Sequence, residues 1–199
     1  GIAAPGRVVD DFVSFVDLAP TFIELAGLRW EQTGMAPAAG RSLVPLFTSP
    51  RGGRIDPARD HAIIGRERHD VGRPHDQGYP VRGIVKDEQL YLRNFESSRW
   101  PAGNPETGYL DTDGGPTKTD VLKSRTRAPS AAFWSLCFGL RPREELYDLR
   151  ADADCVKNLA PGPAADALRE QLFTALREQG DPRIAGDGAA LEAHPYANP

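Results

Sequence analysis

Only two cysteines occur in 199 residues, Cys137 in "WSLCFGL" and Cys155 in "ADADCVKN". Neither stands in a CxxC pair or beside a histidine cluster, which excludes a cysteine-built zinc site. One disulfide between them in an oxidising compartment and two independent thiols both remain open. Positive charge is not in surplus: 24 Lys and Arg face 28 Asp and Glu, for a net charge of −4. A phosphate backbone demands a basic footprint, so nucleic acid is not expected as a partner. Long apolar runs are missing too. Nothing approaches the roughly 20 residues needed to cross a bilayer, and no charged-then-apolar signal opens the chain, so no membrane partner is expected. Also absent are the GxGxxG and GxxxxGKS phosphate loops, the GxSxG elbow and HExxH, which disfavours a self-contained enzyme of those classes.

What is present is a folded chain. A hydrophobic content of 40% over 199 residues supports a core for one large domain or two small ones. The opening "GIAAPGRVVDD" begins with Gly1 and reads like the interior of a longer protein. In "VSFVDLAPTFIELAGL" apolar residues recur at 15, 16, 18, 22, 23, 25 and 26, predicting a helix with Asp17 as its start signal and Gly27 as its stop. A Pro- and Gly-rich passage follows. "HAIIG", "YPVRGIVK" and "QLYLRNF" alternate apolar and polar residues, and Lys86-Asp87-Glu88 between the last two predicts a β-hairpin in an antiparallel sheet. Residues 96–130 lack periodicity and are expected to be a long irregular segment, in which Trp100 anchors the backbone by burying its ring. "ELYDL" predicts a further strand, followed by an Asp-rich turn and a helix start with Asn158 or Asp154 as possible caps. "PAADALREQLFTALREQG" predicts an amphipathic helix over 163–179 with Leu168, Leu172, Phe173 and Leu176 on one face. "DTDGG" at 111–115 opens like a calcium loop, but its glycine comes early and the distal Glu is missing, so a tight turn capped by Asp side chains is the expectation.

One stretch stands apart. "GRERHDVGRPHDQGYPVRGI", residues 65–84, packs four Arg, two His, one Glu and two Asp between Ile63–Ile64 and Ile84–Val85. Flexible linkers are seldom built this way. Were the strand to continue past Arg66, alternation would put Glu67 and His69 on one face and Arg66, Arg68 and Asp70 on the other.

Five stretches together resemble the C-terminal part of the formylglycine-dependent sulfatases, in the branch that includes heparan N-sulfatase. They are "VSFVDLAPTFIELAG", "GRSLVPLF", "GRERHDVGRP…GYPVRGI", "YLRNFESSRWPAGNPETG…DTDGGPTK" and "RPREELYDLRADADCVKNLA", with "GDPRIAGDG" at 180–188 extending the likeness. The resemblance implies an α/β class, the C-terminal part of an alkaline-phosphatase-like fold. Residues 1–60 would be the end of the large α/β domain, and residues 61–199 a smaller subdomain with an antiparallel sheet against a C-terminal helix. The family's C/S-x-P-S-R nucleophile motif is not in this chain, and "VVDDFVSF" is the wrong context for its calcium carboxylates. The resemblance therefore places formylglycine and calcium in an upstream part of the parent protein, with no catalytic residue and no metal ligand here. It implies a sulfated carbohydrate or other sulfate ester as substrate, packing on an N-terminal catalytic domain, and an extracytoplasmic location.

A pocket wall for a sulfated sugar needs guanidinium forks for anionic oxygens and carboxylates for hydroxyls. The candidates are His69 first, with Glu67 or Asp70 fixing its tautomer or binding a hydroxyl, and Arg73 or Arg82 as anion contacts. Arg68, Asp70 and Arg82 could instead form an ion-pair network that braces the loop. A non-catalytic carbohydrate-binding or interaction module sharing this subdomain is the alternative from another class.

Overall fold

The computed structural model describes residues 2–69 and 72–195. The chain divides into two compact units, Gly1–Ile63 and Ile64–Pro199.

In the first unit the predicted helix forms as α1 (Leu18–Leu25), entered through a 3₁₀ turn over Phe15–Asp17. The chain leaves it at Gly27, whose φ of +74° is a left-handed conformation that glycine adopts without penalty. Asp17 does more than mark the start. Its buried carboxylate accepts from the Ser14 amide (3.1 Å) and the Arg41 amide (2.8 Å) and pairs with the buried Arg59 guanidinium at 2.8 Å. Burial alone would raise its pKa, yet these donors hold it below the ordinary carboxylate range. Asp11 is buried likewise, accepting from the amides of Ile55 (2.8 Å) and Asp56 (2.7 Å). A short α2 (Val44–Thr48) supplies Leu46 to the interior, with Leu43 just before it.

The second unit is built on a four-stranded sheet in the order β1 (His61–Arg66), β2 (Val81–Lys86), β3 (Gln89–Asn94), β4 (Glu144–Asp148). The β2–β3 hairpin turns on Asp87 and Glu88, both at positive φ (46° and 62°), the two-residue geometry that matches strand twist. Register aligns Ile84 with Tyr91 and Tyr91 with Leu146, so these three share one face. Helix α5 (Pro163–Glu178) packs on β2, β3 and β4 and buries Leu168, Leu172 and Leu176. Phe173 is half-buried, with the Arg93 guanidinium 5.9 Å from its ring.

On the opposite face, Asn94 donates to the buried Glu145 at 2.8 Å and Tyr147 donates to the same carboxylate. A cavity of about 200 Å³ lies there, lined by Leu90, Leu92, Leu136, Arg141 and Cys155 among others. Both cysteines are free thiols.

Two expectations are corrected. The segment 96–130 is not irregular throughout: α3 (Pro116–Ser124) forms within it and packs against α4 (Ala131–Phe138). Ala102, Tyr109 and Phe138 make a local core there, with Trp100 packed edge-on against Tyr109 and Trp134 at 6.4 and 6.2 Å. Neither Asn158 nor Asp154 caps a helix. The helix begins only at Pro163, after Gly162. Asn158 instead completes the outer edge of β4, accepting from the Leu146 amide (2.9 Å) and donating to the Glu144 carbonyl (3.0 Å).

Candidate functional site

The charged stretch becomes a loop with a closed neck. Strand β1 ends at Arg66, and the Tyr79 amide donates back to the Glu67 carbonyl at 2.9 Å. Gly78 makes this approach possible, because a Cβ there would stand 2.9 Å from the Glu67 carbonyl oxygen. Since the chain leaves the pleat at the neck, strand alternation does not extend to residues 67–69. Glu67 turns inward, whereas His69 is exposed. Asp70 lies outside the described residues. His75 is exposed and, with Asp76, holds a left-handed backbone (φ +58° and +55°) at the tip.

Most of the loop's guanidinium groups are engaged inside the fold. Arg73 is buried: its Nε donates to the Trp100 carbonyl and its Nη2 to the Pro101 carbonyl, both at 2.7 Å, and Nη2 meets Asp111 at 2.6 Å. Its carbon Cζ lies 5.6 Å from the Tyr79 ring centre. Burial draws the Arg73 pKa down and Asp111 opposes that shift. Burial also pushes the Tyr79 hydroxyl up to about 12, with the Glu145 charge adding to it.

Arg82 meets Glu67 at 2.5 Å through Nη2 and Asp181 at 2.7 Å through Nε. Arg183 reaches the other Glu67 oxygen at 2.8 Å and Glu192 at 2.9 Å. Arg99 also meets Glu192 at 2.9 Å and donates to the Gly78 carbonyl at 2.9 Å. Burial would raise the Glu192 pKa, but the Arg99 and Arg183 bonds hold it below the ordinary range. Arg68 donates to two carbonyls, Asp76 at 3.4 Å and His194 at 2.9 Å.

Sequence reasoning did not find Asp181, Arg183, Glu192 and Arg99. Arg82 and Asp181 lie 99 positions apart along the chain, and Glu67 and Arg183 116 apart, beyond the reach of any local pattern. The only local signal is Asp181-Pro182, a helix start in which the Asp181 side chain accepts from the Arg183 amide at 2.9 Å.

In the "DTDGG" turn one carboxylate and one carbonyl are already engaged. Asp111 is committed to Arg73, and the Lys118 ammonium donates to the Tyr109 and Thr112 carbonyls at 2.9 and 2.8 Å. Among the described residues no group of three His, Cys, Asp or Glu could hold a metal ion, and no helix is long and apolar enough to cross a membrane.

Comparison with known proteins gives the geometry its context. No family model matches the sequence. The chain is 24% identical over 184 residues to the ulvan-active sulfatase of Formosa agariphila, covering 90% of this chain and 32% of that protein. It is 25% identical over 199 residues to the N-sulphoglucosamine sulphohydrolase of Homo sapiens, covering 94% of this chain and 36% of that protein. It thus spans about a third of the length of these curated relatives. Among solved structures, that of BT4656 in complex with its substrate D-glucosamine-2-N,6-O-disulfate shares the fold, with a TM-score of 0.52 and 16% identity over 94% of this chain and 28% of that one.

Proposed function

We propose, from the premise that the chain is a C-terminal portion of a sulfatase, that its parent hydrolyses sulfate esters or sulfamates of sulfated sugars in an extracytoplasmic setting. In this reading the Glu67–Tyr79 loop forms part of the substrate-pocket wall. The observation that carries it is the match to two curated sulfatases over nine-tenths of this chain.

His69 is the proposed direct contact, since it stands exposed on a loop whose neck is closed. Arg68 is its nearest candidate cation, because it meets carbonyl oxygens rather than a carboxylate among the described residues. Asp70 is the proposed partner for a sugar hydroxyl. Glu67, Arg73 and Arg82 contribute by holding the loop, since each already faces an opposite charge.

The family's calcium and formylglycine belong, in this reading, to the upstream part of the parent. The residues here do not fit either group, for among the described residues no carboxylate cluster could take the metal, and neither cysteine stands in the modification motif. The chain by itself is therefore proposed to be inactive. The upstream part would also cover the apolar side chains left exposed on α1 and the turn before it, where Phe22 is 63% and Phe15 91% exposed.

The test is His69→Ala in the parent. Loss of a pocket-wall contact should lower kcat/KM on a sulfated sugar by roughly 10–1000-fold while sparing a small aryl sulfate, which has no sugar to touch the wall. Equal losses on both substrates together with a lowered Tm would overturn the reading, and turnover of an aryl sulfate by residues 1–199 alone would overturn the inactivity.

A further inference from the structure

The ion network of the loop is completed by a segment far along the chain. After α5, residues 181–192 form two short turns, α6 (Pro182–Ala185) and α7 (Gly188–Glu192). We infer that this segment is a clamp that fixes the Glu67–Tyr79 loop, with Arg183 as its positioning residue. For the effect on a sugar substrate the inference rests on the pocket-wall reading above; for the clamp itself it does not.

Arg183 lies in the middle of a continuous path. Glu67, at the entry of the loop, meets Arg183 (2.8 Å); Arg183 meets Glu192 (2.9 Å); Glu192 meets Arg99 (2.9 Å); Arg99 donates to the carbonyl of Gly78 (2.9 Å), at the exit. Entry and exit are thus tied through two guanidinium groups, Arg183 and Arg99, bridged by Glu192, in addition to the backbone bond across the neck. A second tie runs from Asp181 through Arg82 to Glu67. The Arg68 guanidinium is held separately by the His194 carbonyl.

Arg82, Arg99 and Arg183 meet Glu67, Asp181 and Glu192, and Glu96 stands 3.9 Å from Arg99 as a fourth carboxylate, so each of the three guanidinium groups already has an anionic partner. Each carboxylate of the main path has two cationic partners. Deleting Arg183 leaves Glu67 only Arg82 and Glu192 only Arg99, and cuts the path between the two ends of the loop.

The segment also shapes the Arg183 side chain. Asp181 accepts from the Arg183 amide, starting the turn, and a Cβ on Gly188 would come within 2.6 Å of the Arg183 Cδ. The clamp therefore predicts that Gly188→Ala, which removes no charged group, disturbs the loop by displacing Arg183.

The experiment is amide hydrogen exchange on residues 1–199, comparing the wild type with Arg183→Ala, Arg183→Lys and Gly188→Ala. The reporter is the Tyr79 amide at the neck, and the internal references are the Ile84 and Tyr91 amides in the sheet. Arg183→Ala should speed Tyr79 exchange by about ten-fold or more with the references unchanged. Gly188→Ala should move it in the same direction. Arg183→Lys should recover part of the protection, because a point charge can serve one carboxylate well but lacks the fork that spans two. Unchanged Tyr79 exchange in Arg183→Ala overturns the clamp, as does a loss shared equally by Ile84 and Tyr91.

The same substitutions in the parent separate the two readings. The clamp predicts that Arg183→Ala raises KM for a sulfated sugar more than for a small aryl sulfate. If His69→Ala shifts that preference and Arg183→Ala does not, the clamp's role in positioning His69 is overturned and the pocket wall stands. If neither shifts it while Tyr79 exchange still responds, the pocket-wall reading falls and the clamp stands as a device of the fold.

Discussion

In residues 2–63 the side chains withdrawn from solvent are Asp11, Asp17, Thr21 and Arg59, joined by Leu43 and Leu46. In residues 64–195 they are mainly Ile84, Tyr91, Leu146, Leu168, Leu172 and Leu176, with charged groups such as Arg73, Arg82 and Glu145 around them. The first unit turns hydrocarbon outward: Phe15, Phe22 and Leu25 are 91%, 63% and 61% exposed. Burial of apolar surface is the main favourable term in folding, so the second unit holds its own driving force and the first holds mostly directional bonds. The contrast teaches where each unit is vulnerable. A unit organised by buried carboxylates fails when a partner charge is removed or protonated, and one organised by leucines fails when volume is removed.

The sharpest test sets one buried charge against one buried hydrocarbon. Arg59→Ala strips Asp17 of its cation and should destabilise the first unit by about 3–5 kcal/mol. Leu172→Ala opens a cavity beneath α5 and should cost the second unit about 2–5 kcal/mol. Amide exchange resolved by residue checks both, since each loss should concentrate in its own unit. Losses spread evenly over the chain would break the comparison. Even without substitution, α1 amides should be less protected than those of α5.

Acid gives the next largest contrast. Asp11 and Asp17 are held below their ordinary range by backbone amides and Arg59 against the opposing pull of burial. A carboxylate whose folded pKa is depressed contributes stability that is present above its unfolded pKa, about 4, and lost as pH falls through the lower folded value. The first unit should therefore loosen as pH drops below about 4. Glu144 and Glu192 are lowered as well, so the second unit also weakens, but its leucine core does not titrate. NMR amide signals followed from pH 6 downward should be lost earlier at Leu43, whose amide donates to Thr21, than at Tyr91. The reverse order would contradict the assignment of the first unit to charge.

How much of this was readable from the chain depends on the distance over which each signal acts. The hairpin turn at Asp87-Glu88, strand β4 and the leucine stripe of α5 are local patterns, and each appears where its period or turn chemistry predicts. Helix α3 starts with Pro116 and carries four polar residues before Val121, so no stripe announces it. Helix α4, "AAFWSLCF", is apolar nearly all round and shows no preferred face. The density of charge in "RERHD" was legible, but its arrangement was not. The neck bond from Tyr79 to Glu67 takes residues 67–69 out of the strand, and the partners of Glu67 and Arg82 come from the far end of the chain.

A smaller effect sharpens the view of the second unit as self-sufficient. Asp87 and Glu88 hold left-handed backbone without glycine, in a two-residue turn that favours Asn-Gly. Replacing them with Asn-Gly should stabilise the chain by about 0.5–1 kcal/mol, provided that the backbone keeps its register. Thermal unfolding of the double variant measures the gain, and a lower Tm would show that the Leu149 amide bond to the Glu88 carbonyl depends on the native pair.

The smallest expected effect is the most telling for the first unit. Phe22 is a large aromatic residue, and fully burying one contributes about 1.5–3 kcal/mol. With 63% of it already in water, little of that contribution is realised in this chain. Phe22→Gln should therefore change the stability of residues 1–199 by no more than about 0.5 kcal/mol, as for other exposed positions. The same change should reduce self-association at high concentration, because it removes one of the large apolar side chains that this unit leaves exposed. Calorimetry and sedimentation on the one variant give both readings. A Tm lowered by many degrees would mean that the face is covered within this chain, and the contrast between a charge-centred unit and a hydrocarbon-centred one would fail at its most exposed point.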